Sequence, residues 1–211
     1  MKLYLTEFIG TFFLVLTVCL TAPTGNPLAP LAIGASLMIM VYMGGHVSGG
    51  HYNPAVSLAA ALRGALPKAQ LVPYWAAQVL GAVVAAFVAK STSNLAFACA
   101  PGGGVGAGSA LAIEFLFTFA LCLVVLQTAT AKKTEGNSFY GLAIGFTVVV
   151  AAFAGGGISG GAFNPAVGLG PILVNALTSG GSFANLWLYL VGPLLGGVAA
   201  AFVFKLQGSA N

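Results

Sequence analysis

Two copies of one tripeptide, Asn53-Pro54-Ala55 and Asn164-Pro165-Ala166, are the residues whose types and order point most directly to chemistry. Asn is a favoured helix N-cap, because its side-chain carbonyl accepts from backbone amides of the first turn. Pro suits the first helical position, where no N–H partner is lost. Each tripeptide is therefore read as the start of a helix, with the Asn NH₂ left free to donate outward. Two such N-termini, each worth roughly half a positive charge, would suit a neutral guest and disfavour cations and hydronium. The residues just before them, Gly49-Gly50-His51-Tyr52 and Gly160-Gly161-Ala162-Phe163, are expected to run extended, their carbonyls lining a lumen as a ladder of acceptors.

Two carboxylates stand out because each opens an apolar run: Glu7 and Glu114. A carboxylate reaching the nearest interface is one reading. The one preferred is a buried acceptor that braces a loop by binding its backbone N–H groups. A role in proton coupling is the third. His46 and His51 raise the possibility of a pH gate, since His titrates near neutrality; packing and hydrogen bonding within the loop is the simpler expectation. Cys19, Cys99 and Cys122 lie in or near apolar stretches without CxxC pairing, so inert thiols are expected rather than a metal or disulfide. No nucleophilic triad, metal cluster or phosphate loop is present, so no enzyme, cofactor or metal site is expected.

The elements that position these groups follow from composition. Of 211 residues, 59 % are hydrophobic and only 5 % charged, with 30 glycines. A soluble domain carries about a quarter charged residues, so a soluble enzyme is excluded. The net charge of +4 is too small and scattered for a nucleic-acid partner. Apolar windows at 4–22, 29–47, 71–89, 109–130, 139–156 and 184–205 are long enough to span a bilayer. Their apolar runs are continuous rather than alternating, which favours helices over a barrel. The stretches 53–64 and 164–176 are too short to span and too apolar for water, and read as re-entrant half-helices. Tyr74, Trp75 and Trp187 lie where interfacial anchors are expected.

The chain repeats itself. Ser48-Gly49-Gly50-His51-Tyr52-Asn53-Pro54-Ala55-Val56 returns as Ser159-Gly160-Gly161-Ala162-Phe163-Asn164-Pro165-Ala166-Val167. Glu7-Phe8 and Thr11-Phe12 return as Glu114-Phe115 and Thr118-Phe119. Residues 1–211 are thus read as a single channel-like domain of two repeats, about 1–95 and 108–211. An odd number of spans per repeat inverts the second copy, and inverted repeats place a site at their shared interface near the midplane. With the N-terminus inside, Lys2, Arg63, Lys68, Lys132, Lys133 and Lys205 are cytoplasmic and Lys90 alone lies outside. Both termini are then cytoplasmic.

These motifs resemble the aquaporin, or major intrinsic protein, family over essentially the whole chain. The resemblance implies an all-α fold of six tilted transmembrane helices plus two re-entrant half-helices, one pore per protomer and a homotetramer in the lipid bilayer. A plasma membrane, and specifically a bacterial inner membrane, is the expected location. Water and small neutral solutes are the expected permeants. The resemblance also locates an outer selectivity filter at Ile33, Ala152, Gly161 and Val167. Water-selective relatives have Phe and His at the first two positions, and nearly all members have Arg at the fourth. The set found here supplies neither charge nor bulk. The expectation is a wide, apolar filter that passes water and admits glycerol, urea, ammonia or undissociated metalloid acids such as arsenous acid. A mainly water-selective pore with an atypical filter, a secondary transporter and a structural junction protein are the alternatives.

Overall fold

The computed structural model describes residues 1–208. Eight α-helices follow one another: α1 (Lys2–Thr21), α2 (Ala29–Ser48), α3 (Pro54–Arg63), α4 (Leu71–Ser93), α5 (Ala107–Val125), α6 (Tyr140–Ser159), α7 (Pro165–Ser179) and α8 (Leu186–Leu206). A π-helical turn, Leu126–Thr130, prolongs α5. Six of these segments are long and apolar enough to cross a membrane; α3 and α7 are shorter apolar helices. Each half-helix starts behind an Asn and ends at a glycine in the left-handed region, Gly64 at φ 94° and Gly180 at φ 69°. A Cβ is unfavourable there, so glycine stops the helix.

The packing follows the repeat. α1 lies on α4 as α5 lies on α8, and α2 crosses its own counterpart α6. The half-helices are exchanged: α3 packs mainly on α8, and α7 mainly on α4. Each repeat therefore contributes its short helix to the other's bundle. The crossings are close because glycine faces backbone: a Cβ on Gly81 would lie 2.5 Å from the Phe8 carbonyl oxygen, and one on Gly196 would lie 2.6 Å from that of Phe115. Small residues allow this approach, which supplies the van der Waals packing that holds helices together in lipid.

Burial is inverted relative to a water-soluble protein. Phe13, Ile39, Leu80, Phe87, Phe153 and Phe202 are exposed on the outer surface, as a lipid solvent permits. Glu7, Asn53, Ser57, Gln78, Glu114, Ser159 and Asn164 are buried inside. Arg63, at the end of α3, donates to the Oγ1 and carbonyl of Thr130 and lies 5.3 Å from the Phe204 ring centroid. It ties α3 to the ends of α5 and α8. Leu3, Arg63, Gln70 and Thr130 share one mouth of the bundle, here called the basic face; Lys90 lies near the other.

The helix windows read from the sequence agree with the observed helices to within a few residues at most ends. Tyr74 and Trp75 depart from the anchor reading. Tyr74 is buried and donates to the Ser48 carbonyl at 2.8 Å, and Trp75 Nε1 donates to the Pro54 carbonyl at 2.9 Å. Tyr74 thereby satisfies a carbonyl that the C-terminal end of α2 leaves open, and Trp75 ties α4 to the start of α3.

Candidate pore

Asn53 and Asn164 cap α3 and α7 with extended backbones, φ −156° and −162°. Each side-chain oxygen accepts from the amide two residues on, Ala55 N and Ala166 N, at 2.9 Å. The other end of each side chain is not free, in contrast to the sequence reading. Asn53 Nδ2 donates to the Phe163 carbonyl and Asn164 Nδ2 to the Tyr52 carbonyl, both at 2.9 Å. The two tips thus hold each other across the pseudo-twofold axis. One hydrogen of each amide remains for the lumen. The carbonyls of Tyr52 and Phe163, assigned to the acceptor ladder from sequence, are partly taken up by this exchange.

The segments before the caps are not extended either. Gly49, Gly50 and Tyr52 have φ of 91°, 61° and 49°; Gly160, Gly161 and Phe163 have 92°, 67° and 49°. Glycine adopts such angles without penalty, but Tyr and Phe do so at a cost of roughly 1–2 kcal/mol each. The turned backbone gathers N–H groups on a carboxylate, which offsets that cost. Glu7 Oε1 accepts from Ser48 Oγ at 2.7 Å and His51 N at 3.0 Å; Oε2 accepts from Tyr52 N at 2.7 Å. Glu114 repeats this with Ser159 Oγ at 2.7 Å, Ala162 N at 3.0 Å and Phe163 N at 2.6 Å. With the N–H groups turned to the carboxylates, the carbonyls of Gly49, Gly50, His51, Gly160, Gly161 and Ala162 accept no hydrogen bond from any described residue.

The two halves differ in one respect that the sequence motifs concealed. Tyr74 and Tyr189 are equivalent, each donating to the carbonyl of the loop serine, Ser48 or Ser159. One turn further along, repeat one has Gln78 and repeat two has Pro193. Gln78 Nε2 donates to Glu7 Oε2 and to Ser57 Oγ, both at 2.8 Å. Ser57 Oγ also lies 3.1 Å from His51 Nδ1. The matching residues of repeat two are Ala162, Gly168 and Pro193, which have no such groups. Glu7 therefore accepts four hydrogen bonds and Glu114 three.

Cavities run in series through the bundle. Near Lys90 a vestibule of about 690 Å³ is lined by Asn26, Phe97, Cys99, Gly157, Ile33, Ala152, Gly160 and Gly161. It narrows into a segment of about 30 Å³ that touches Ile33, Ala152, Gly161, Val167, Asn53, Asn164, Ala162, Phe163 and His51. On the basic face two cavities of about 500 and 440 Å³ share Gly49, Ala129 and Thr130; His51 joins the first to the narrow segment, and His46 lines the second. The four positions expected from sequence to form a filter are thus brought together with both caps. Gly50 and Tyr52 line none of these cavities; the Tyr52 ring instead fills the space left by Gly10 and Gly44. The rest of the narrow wall is aliphatic: Leu14, Val18, Leu37, Val56, Leu121, Val125, Ile144 and Val148. Sequence reasoning missed these residues because nothing distinguishes them from lipid-facing neighbours. It also missed the inward fold of residues 94–106, where the Cys99 thiol meets the Val167 carbonyl at 3.9 Å and Gly102 N donates to the Ile158 carbonyl at 3.0 Å.

The family model for major intrinsic proteins matches residues 1–204. The chain belongs to the major intrinsic protein family. It is 36 % identical to the glycerol uptake facilitator protein-like 6 of Lactiplantibacillus plantarum, with 99 % of each chain covered. It is also 36 % identical to the aquaporin NIP1-1 of Zea mays, covering 96 % of this chain and 73 % of that one. The aquaglyceroporin of Plasmodium falciparum shares the fold, with a TM-score of 0.85 at 22 % identity over 97 % of this chain and 95 % of that one. Membership makes this major intrinsic protein a multi-pass, passive membrane channel for water and small solutes, and not an enzyme.

Proposed function

We propose that this channel passes water together with small uncharged solutes, of which glycerol, urea and undissociated metalloid acids are the candidate classes. The observation that carries this reading is the filter itself. Ile33, Ala152, Gly161 and Val167 meet in the narrow segment and bring no charged or bulky polar group to it. A guanidinium at the Val167 position would add a fixed charge and several donors; without it, neutral solutes meet no such barrier. The two cap amides and two helix N-termini at the midplane supply the donors and the positive field that disfavour cations. Unpaired loop carbonyls supply acceptors on either side.

A second reading, a mainly water-selective pore, draws support from size. The narrow segment holds about 30 Å³, room for roughly two or three waters by the usual measure of about 10–15 Å³ each. Stopped-flow light scattering on proteoliposomes separates the two. Shrinkage in sucrose followed by rapid reswelling in glycerol or urea supports the broad pore; water flux without reswelling supports the narrow one. The same reading places the chain as a homotetramer in a plasma membrane, the bacterial inner membrane being favoured, with the basic face and both termini cytoplasmic. The distribution of Lys and Arg supports that orientation.

A further inference from the structure

We propose that Ser57 and Gln78 are positioning residues that bias neutral His51 toward its Nδ1–H form, leaving Nε2 as a hydrogen-bond acceptor for the permeating molecule where the narrow segment meets the basic-face vestibule. The inference rests on the pore reading for its function, but not for its hydrogen-bond logic.

The orientation of Gln78 is fixed first. Its Nε2 lies 2.8 Å from both Glu7 Oε2 and Ser57 Oγ, and Oε1 has no partner. Turning the amide would press its oxygen against a carboxylate oxygen, so Nε2 donates to both. Ser57 Oγ therefore accepts from Gln78, and its single proton has two destinations: the Asn53 carbonyl at 3.2 Å or His51 Nδ1 at 3.1 Å. If that proton goes to Asn53, Ser57 can also accept from an Nδ1–H, and the cluster makes three hydrogen bonds. If it goes to His51, the cluster makes two. One neutral hydrogen bond is worth about fivefold in population, in favour of Nδ1–H.

The remaining ring nitrogen, Nε2, has no hydrogen-bond partner among the described residues. His51 lines both the narrow segment and the adjoining vestibule. Its Nε2 lies beside Gly49, where a Cβ would come within 2.9 Å of it. An acceptor here extends the row of loop carbonyls by one side-chain atom. Repeat two has no counterpart, since Ala162, Gly168 and Pro193 stand at the three positions. The pore is then chemically lopsided, with an imidazole acceptor on the basic side only.

The test is solid-state ¹⁵N spectroscopy of histidine-labelled protein in proteoliposomes, at a pH where the imidazole is neutral. His46→Gln leaves His51 as the only labelled ring. The expected spectrum shows a protonated Nδ1 and a bare Nε2. Ser57→Ala removes the acceptor for Nδ1–H, so the ring should turn to Nε2–H and water flux should fall about fivefold, the equivalent of one hydrogen bond. Ser57→Thr keeps the hydroxyl and should restore both. A wild-type ring in the Nε2–H form, or a Ser57→Ala spectrum identical to wild type, overturns the proposal. The spectrum decides the tautomer even in vesicles that conduct nothing, whereas absent flux in the wild type would count against the channel reading instead.

Discussion

Gly34 and Gly145 cross back to back: a Cβ on either would lie 2.5 Å from the carbonyl oxygen of the other. This pair sits where α2 meets α6, on the axis that relates the repeats. Gly34→Ala or Gly145→Ala must push two backbones apart, since no flexible side chain can yield. Each should lower stability by about 1–3 kcal/mol, read as an earlier thermal transition of detergent-solubilised protein. Gly156→Ala, with open space around it, should leave the transition near wild type.

The carboxylates should differ in their tolerance of amidation. Gln in place of Glu114 can turn its NH₂ toward Phe163 N and leave one donor unpaired. Gln in place of Glu7 strands one backbone N–H and also forces Ser48 or the Gln78 amide to reverse its hydrogen bonding, so four bonds to a charge are disturbed rather than three. At about 1.5–3 kcal/mol for each bond to a charged group, Glu7→Gln should cost more folded protein than Glu114→Gln. Monodisperse yield on size-exclusion chromatography checks this; equal yields would refute the ranking.

Asn53→Asp separates the cap from the cross-link. A carboxylate still accepts from Ala55 N, but it sets an oxygen against the Phe163 carbonyl where an N–H had been. α3 should persist by circular dichroism, while the midplane gains negative charge. Proton or Na⁺ leak, followed by a pH-sensitive dye in the vesicle lumen, should rise above wild type. Unchanged leak would mean that the helix N-termini dominate the midplane field.

Val167→Arg tests the filter. The new guanidinium would enter the narrow segment beside Ile33, Ala152 and Gly161. Glycerol and urea flux should drop about tenfold, equal to about 1.4 kcal/mol of added barrier, with a smaller effect on water. Solute flux equal to wild type would show that this position does not limit passage.

The fold was legible because a bilayer imposes simple rules. Continuous apolar windows located α1, α2, α4, α5, α6 and α8, and Asn-Pro at the head of a short apolar run located α3 and α7. The doubled motif disclosed the inverted symmetry. What stayed hidden is what depends on contact between distant segments. No local rule says that Asn53 reaches Phe163, that Tyr52 adopts a left-handed backbone because Glu7 draws in its N–H, or that residues 94–106 fold inward to Val167. The acceptor network around His51 was concealed because Ser57 on α3 and Gln78 on α4 look unremarkable singly, and nothing local says that they meet Glu7 and His51.

The reciprocal bonds between the two tips also constrain the order of events during synthesis. Asn53 can be inserted long before Phe163 exists, and until then its amide lacks the carbonyl it will bind. The first half therefore reaches the membrane as an incomplete object. Its short helix α3 also waits for α8, more than a hundred residues later in the chain, to cover it. The two halves can close on each other only once both are in place, and a nascent chain truncated before α8 should be a substrate for membrane quality control rather than a half-channel.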